Sequence, residues 1–213
     1  MEFFDVIHTQ RSIRRFKPDP VPDDLLWQLI DAAIKAPSGS NTQPWIWLIV
    51  RDGEKRGILG QAVRDNLLPG NRLAELQQEI ARRETSSGRL SLKRAIELFQ
   101  NLEHAPVIVI PCLVGLSSPV ADNQTLLAGS SIYGAVQNMM LAARALQIGS
   151  VLTTFNSFME DTIRDQFELP SDAVPVAVIP IGYPDNQTFG PTTRKPAEAV
   201  TYWDKWGMTQ QRP

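Results

Sequence analysis

The chain has 213 residues, 43% of them hydrophobic and 21% charged, with a formal net charge of −2 and a single cysteine, Cys112. This length suits one domain with its own core, the near-neutral charge gives no electrostatic ground for a nucleic acid or an anionic membrane as partner, and one cysteine excludes an internal disulfide framework. The longest apolar run, Pro106 to Leu116, falls far short of the roughly 20 residues of a membrane helix, and Glu2 and Asp5 stand where a secretory leader would be basic, so a cytoplasmic protein is the simplest expectation.

In chain order, Phe3, Phe4, Val6 and Ile7 fall on one helical face. Pro22 opens a second helix, with Asp23 and Asp24 at the positive end of its dipole. Leu25, Leu26, Leu29, Ile30, Ala33 and Ile34 bury one side of it, and Pro37 stops it. Trp45 to Val50 reads as a strand. From Glu54 to His104 charges are frequent and apolar residues recur at helical spacing, which predicts two or three surface helices broken near Ser86-Ser87-Gly88. Val107 to Val114 is a continuous apolar run, expected to be a strand buried on both faces, with Pro111 marking a bulge or the strand's end. Asp122 can cap a long helix from Asn123 to Leu146 whose small residues (Gly134, Ala135 and Ala143 among them) place it at the centre of the domain or at a subunit interface. Ser150 to Phe155 and Val174 to Ile181 read as strands, and Ser157-Phe158-Met159-Glu160 as a capping box opening a helix between them. The tail from Pro184 onward mixes proline, polar residues and aromatics. Alternating strands and helices with helical insertions predict a three-layer α+β or α/β domain around a central sheet.

Three segments carry chemistry. Arg11-Ser12-Ile13-Arg14-Arg15-Phe16 offers guanidinium groups and a hydroxyl that suit a phosphate, or else a solvated basic surface; Ile13 and Phe16 would anchor the run and fix the arginines' directions. Ala36-Pro37-Ser38-Gly39-Ser40-Asn41-Thr42-Gln43-Pro44-Trp45, between helix and strand, offers amides and hydroxyls with no charge. Such a loop can match the alternating carbonyls and N–H of a planar heterocycle, or it can be a packed turn. Gly182-Tyr183-Pro184 with Arg194-Lys195-Pro196 is either a late basic contribution to the same anion or an exposed tail. Together they point to a ligand with an anionic end and a hydrogen-bonding ring, as in flavin mononucleotide. No glycine fingerprint of a dinucleotide fold or P-loop occurs, and His8 and His104 lack metal-ligand spacing.

In these segments, their order and their spacing, the chain resembles the nitroreductase family of flavin enzymes over nearly its whole length. The resemblance implies an α+β fold of three α/β/α layers with a mostly antiparallel sheet, one domain over residues 1–213, and a homodimer with FMN at the subunit interface. Residues 54–104 would form a helical substrate cover and residues 185–213 a tail wrapping the partner subunit. Arg11, Ser12, Arg14 and Arg15 match positions on the FMN phosphate and pyrimidine, and Arg194 a late basic residue near the phosphate. Asn41 and Gln43 match positions lining the ring, and Pro37, Ser38 and Gly39 a stretch approaching the flavin bound mainly by the partner. Thr153 and Thr154 occupy the strand end facing the reactive edge, and Gly182 also counts among the cofactor-binding positions. Gln10 and Thr192 depart from a pattern that carries basic residues there. The implied activity is ping-pong transfer of electrons from NADH or NADPH to a nitroaromatic, quinone or related planar acceptor. Enone reduction, dehalogenation, flavin breakdown and non-catalytic flavin binding are the alternatives. Because the cofactor carries such chemistry, no catalytic side chain and no metal are expected.

Overall fold

A computed structural model describes residues 1–115 and 129–210. Strand β2 (Val107–Leu113) is its axis, and every one of its residues is buried. It pairs with β1 (Trp45–Val50), β4 (Val174–Pro175) and β5 (Ile179–Gly182), and β5 pairs with β3 (Gly149–Ser150). The order is β1-β2-β5-β3 with β4 beside β2, and every pairing among the described residues is antiparallel.

The period-two alternation of β2 divides the core into two. Val107, Val109 and Leu113 face a layer formed by α2 (Asp23–Ala33) and α6 (Tyr133–Ala145). Ile108, Ile110 and Cys112 face α3 (Gly53–Leu67) and α7 (Asn156–Phe167). A strand apolar on both sides therefore becomes the middle layer of three, as its unbroken hydrophobic run predicts. α1 (Phe3–Thr9) packs beside α6, and its Thr9 Oγ1 accepts from Arg144 Nε at 2.9 Å.

Several expected boundaries move. β2 continues through Pro111, and the bulge is on the opposite side. Val109 pairs with Ile179 and Cys112 with Pro175, so residues 110–111 face the three residues 176–178. The Pro111 carbonyl takes the Val176 N–H at 2.9 Å, and the missing proline donor falls in this interruption of the ladder. The single strand expected over Val174–Ile181 is accordingly split into β4 and β5. The strand expected over Ser150–Phe155 shrinks to β3 plus a bridge from Thr153 to Val178.

α6 is preceded by a turn at Ser131 and Ile132, while Asp122 and residues 123–128 of the expected helix lie outside the described residues. Ala135 and Ala143 are fully buried, so the small residues do serve the centre of the domain. The helical excursion comprises α3, α4 (Arg72–Arg82) and α5 (Ser86–Asn101). Its break lies just before Ser86, because Thr85 Oγ1 caps the Gly88 N–H at 3.0 Å and makes Ser86-Ser87-Gly88 a first helical turn. α3 and α5 are not merely superficial, since Leu59, Val63 and Leu98 reach the core. The capping box does not form: Ser157 Oγ donates to the Thr154 carbonyl at 2.9 Å, and Glu160 pairs with Arg164. No helix among the described residues is long and apolar enough to cross a membrane.

The arginine segment docks on the β3–β5 edge. The Ile13 N–H donates to the Ser150 carbonyl at 3.0 Å and the Lys17 N–H to the Tyr183 carbonyl at 2.8 Å. Ile13 is wholly buried against Gly149, which pairs with Gly182. A Cβ at Gly149 would meet Ile13 Cγ2 at 2.7 Å, and one at Gly182 would meet Pro106 Cδ at 2.6 Å. Gly182→Ala should therefore lower stability by about 1–3 kcal/mol through overpacking, read as a lower urea midpoint. Burial raises the Cys112 thiol from 9.0 to about 11. Native Cys112 should then resist iodoacetamide at neutral pH. Stability should fall as pH rises from 9 towards 11, where the unfolded chain releases a proton that the native state keeps.

Candidate functional site

Docking Ile13 fixes the directions of its neighbours. Arg14 N and Arg15 N both donate to the buried Gln187 Oε1, at 2.6 and 3.0 Å, and the Asp185 N–H donates to the Arg15 carbonyl at 3.0 Å. The arginine run and the start of the tail are thus fastened together, although the hydrogen-bonded residues lie 173 positions apart.

Between them opens a cavity of about 360 Å³. Arg11, Ser12 and Arg14 line it from one side, Thr192 and Arg194 from another, and Arg94 on α5 completes it. No ion pair among the described residues involves Arg11, Arg14, Arg94 or Arg194. Burial, and then the like charges of Arg94 and Arg11, pull the Arg14 guanidinium below the usual arginine value. Like charges gathered without a counter-charge in a partly desolvated concavity form a receptor for an anion.

Arg14 also lines a second cavity, of about 250 Å³, with Leu98, Phe99, Thr153, Thr154 and Phe155. The Phe99 and Phe155 rings meet edge to face at 5.3 Å. Thr153 is locked there, its N–H and Oγ1 both directed at the Val178 carbonyl, at 3.2 and 2.5 Å. The arrangement is a cationic chamber beside an apolar one, with one guanidinium common to both.

Other residues singled out in the sequence lie elsewhere. Arg15 is exposed and lines a neighbouring cavity with Glu97, His104 and Asp185. Gly182 lines neither chamber, and its place is explained by the packing of Pro106 and Phe16. Pro37, Gly39, Asn41 and Gln43 are exposed and Ser38 is half-buried, all on a loop that lines neither chamber. That loop is nevertheless rigidly specified. Ser38 Oγ takes the Gln43 N–H at 2.9 Å, Ser131 Oγ takes the Gly39 N–H at 3.1 Å, and Gln43 Nε2 donates to Asn41 Oδ1 at 3.3 Å. Ser40, Asn41 and Gln43 all adopt positive φ, at 50°, 55° and 49°. Such left-handed non-glycine residues, clustered and held by side-chain bonds, are typical of functional loops.

Sequence reasoning passed over Arg94. Its signal was Ser87, Leu90, Ser91 and Arg94 at helical positions i, i+3, i+4 and i+7, one face of α5, and all four line the cationic chamber.

The Nitroreductase family profile matches residues 7–183. The chain belongs to the nitroreductase family. A protein named NADH dehydrogenase from Thermus thermophilus is 26% identical over 207 residues, covering 91% of this chain and 92% of that protein. Among solved structures, a nitroreductase with bound FMN from Desulfitobacterium hafniense is 22% identical with a TM-score of 0.70, covering 96% of this chain and all of that one. A second, with bound FMN from Bacteroides fragilis, is 20% identical with a TM-score of 0.68, again covering 96% and 100%. At these identities the two structures establish a shared fold.

Removing one charge from the unpaired cluster should relieve repulsion. Arg14→Met should raise the urea midpoint of the ligand-free protein in dilute buffer, with the gain shrinking in about 1 M salt as the charges are screened.

Proposed function

We propose that the protein is a homodimeric FMN-dependent oxidoreductase that takes electrons from NADH or NADPH and delivers them, in ping-pong order, to nitroaromatics, quinones or related planar acceptors. One observation carries the reading: Arg11 and Arg194, from opposite ends of the chain, line one unpaired cationic chamber that shares Arg14 with an apolar chamber. Membership of the nitroreductase family supports the same reading.

The residues present fit such a cofactor. A phosphate monoester carries about −1.5 to −2 charge at neutral pH, which the chamber's guanidiniums can receive through paired hydrogen bonds. Arg11, Ser12 and Arg194 would hold the phosphate. Arg14 would place positive charge at the junction with the ring, and an anionic neighbour would restore its proton affinity. Phe99, Phe155 and the methyl group of the locked Thr153 would give the ring a dry wall. When bound, FMN supplies the hydride-accepting and electron-delivering chemistry, so the protein's tasks are binding, orientation and exclusion of water.

The loop bearing Pro37, Ser38, Gly39, Asn41 and Gln43 would serve the site of the partner subunit, and its exposure in one protomer suits that role. Residues 185–213 would wrap the partner. Tyr202, Trp203 and Trp206 are 43, 49 and 87% exposed, a burden of aromatic surface that a second subunit would remove from water. Residues 54–104 would cover the substrate.

Freshly purified protein should be yellow, and anaerobic NADH or NADPH should bleach it, with colour returning on addition of a quinone or nitroaromatic. Protein that stays colourless after incubation with FMN refutes the cofactor, and yellow protein that neither nucleotide bleaches refutes the enzyme.

A further inference from the structure

The chamber holds more positive charge than one phosphate can neutralise. Four guanidiniums line it, from Arg11, Arg14, Arg94 and Arg194, and none has a carboxylate partner among the described residues. A phosphate monoester balances at most about two of them. If Arg11 and Arg194 take the phosphate and Arg14 the junction with the ring, Arg94 is left over.

Its setting differs from that of the others. Arg11 and Arg14 flank Ile13, which is fixed to the sheet edge, whereas Arg94 stands on α5 of the helical excursion. On the same helical face lie the hydroxyls of Ser87 and Ser91, which also line the chamber, and Leu90 between them. A guanidinium beside two hydroxyls on one helix face, over a concavity already rich in positive charge, is suited to an oxyanion.

We propose that Arg94, with Ser87 and Ser91, is the recognition site for an anionic group on the exchanging substrate, either a phosphate of the nicotinamide donor or a carboxylate of the acceptor. This rests on the flavin reading above, because it assigns the phosphate of FMN to the other arginines. It makes α5 a specificity element, selecting charged over neutral substrates.

The test uses FMN-loaded protein and two dead-end probes, adenosine 2′,5′-bisphosphate for the phosphate source and benzoate for the carboxylate source. Calorimetry follows probe binding, and the dissociation constant of FMN is measured separately on the same variants. Arg94→Ala should weaken at least one probe by about tenfold or more, the scale of a lost charge-assisted hydrogen bond, while FMN affinity changes by less than about threefold. Arg94→Lys should recover most of the loss, which a purely structural role for the arginine would not produce. The probe that responds identifies the source. Unchanged binding of both probes overturns the proposal, as does a fall in FMN affinity that matches the fall in probe binding, since Arg94 would then belong to the phosphate of FMN. Wild-type protein that does not take up FMN at all sinks the flavin reading itself, a result distinct from either.

Discussion

The seating of Ile13 on Gly149, at the β3–β5 edge, is the contact on which the candidate site depends. A buried isoleucine contributes about 1.5–3 kcal/mol, and here it is joined by a backbone hydrogen bond from its own N–H to Ser150. That anchoring opposes the mutual repulsion of the arginines, which is felt at Arg14 from Arg94 and Arg11. Two unit charges 4 Å apart repel by about 1 kcal/mol in water and about 4 kcal/mol at the effective dielectric of a protein surface. The hydrophobic plug between Arg11 and Arg14 acts together with the Gln187 clamp and the Lys17–Tyr183 bond to hold the run against that repulsion. The two glycines are there because the plug leaves no room for a Cβ at Gly149, and Pro106 leaves none at Gly182.

The chamber therefore gathers like charge at a cost in stability, the kind of cost that functional sites commonly carry. The arginine run is held by bonds outside the chamber: Gln187 clamps two backbone N–H groups, and the sheet edge clamps Ile13 and Lys17. Such preorganisation would lower the entropic cost of gathering flexible cations around an anion. The apolar chamber beside it is built differently, from strand-end and helix residues that belong to the second core cluster. Arg14 joins a site made by electrostatics to one made by packing.

Much of this was legible in the sequence, for reasons that can be named. The both-faces burial of β2 follows from an apolar run with no polar alternation. The anchoring of the arginines follows from Ile13 and Phe16 set among them. The family was legible in three short segments whose glycines, prolines and arginines meet local backbone and charge demands. The splitting of the last strand was not legible, because it follows from a one-residue mismatch with β2, a partner distant in the chain, and β3 is short although its bridge from Thr153 to Val178 keeps the same register. The unformed capping box failed because Ser157 found a nearer carbonyl and Glu160 found Arg164. Arg94 escaped notice because one arginine in a charged amphipathic helix looks like any solvated residue until the fold places its face over the chamber.

The clasp between the arginine run and Gln187 also governs when the chamber comes into being. During synthesis the arginines emerge from the ribosome early, yet their clamp and the final guanidinium lie near the other end of the chain. Until that late segment has left the ribosomal tunnel, the nascent polypeptide carries an unshielded basic stretch and a sheet whose β3 and β5 edge is not yet built. Closure across 173 residues is among the most non-local contacts of this fold, and the same late stretch also supplies Ala177, Val178, Ile179 and Ile181 to the two core layers around β2, so chamber and core wait on one segment.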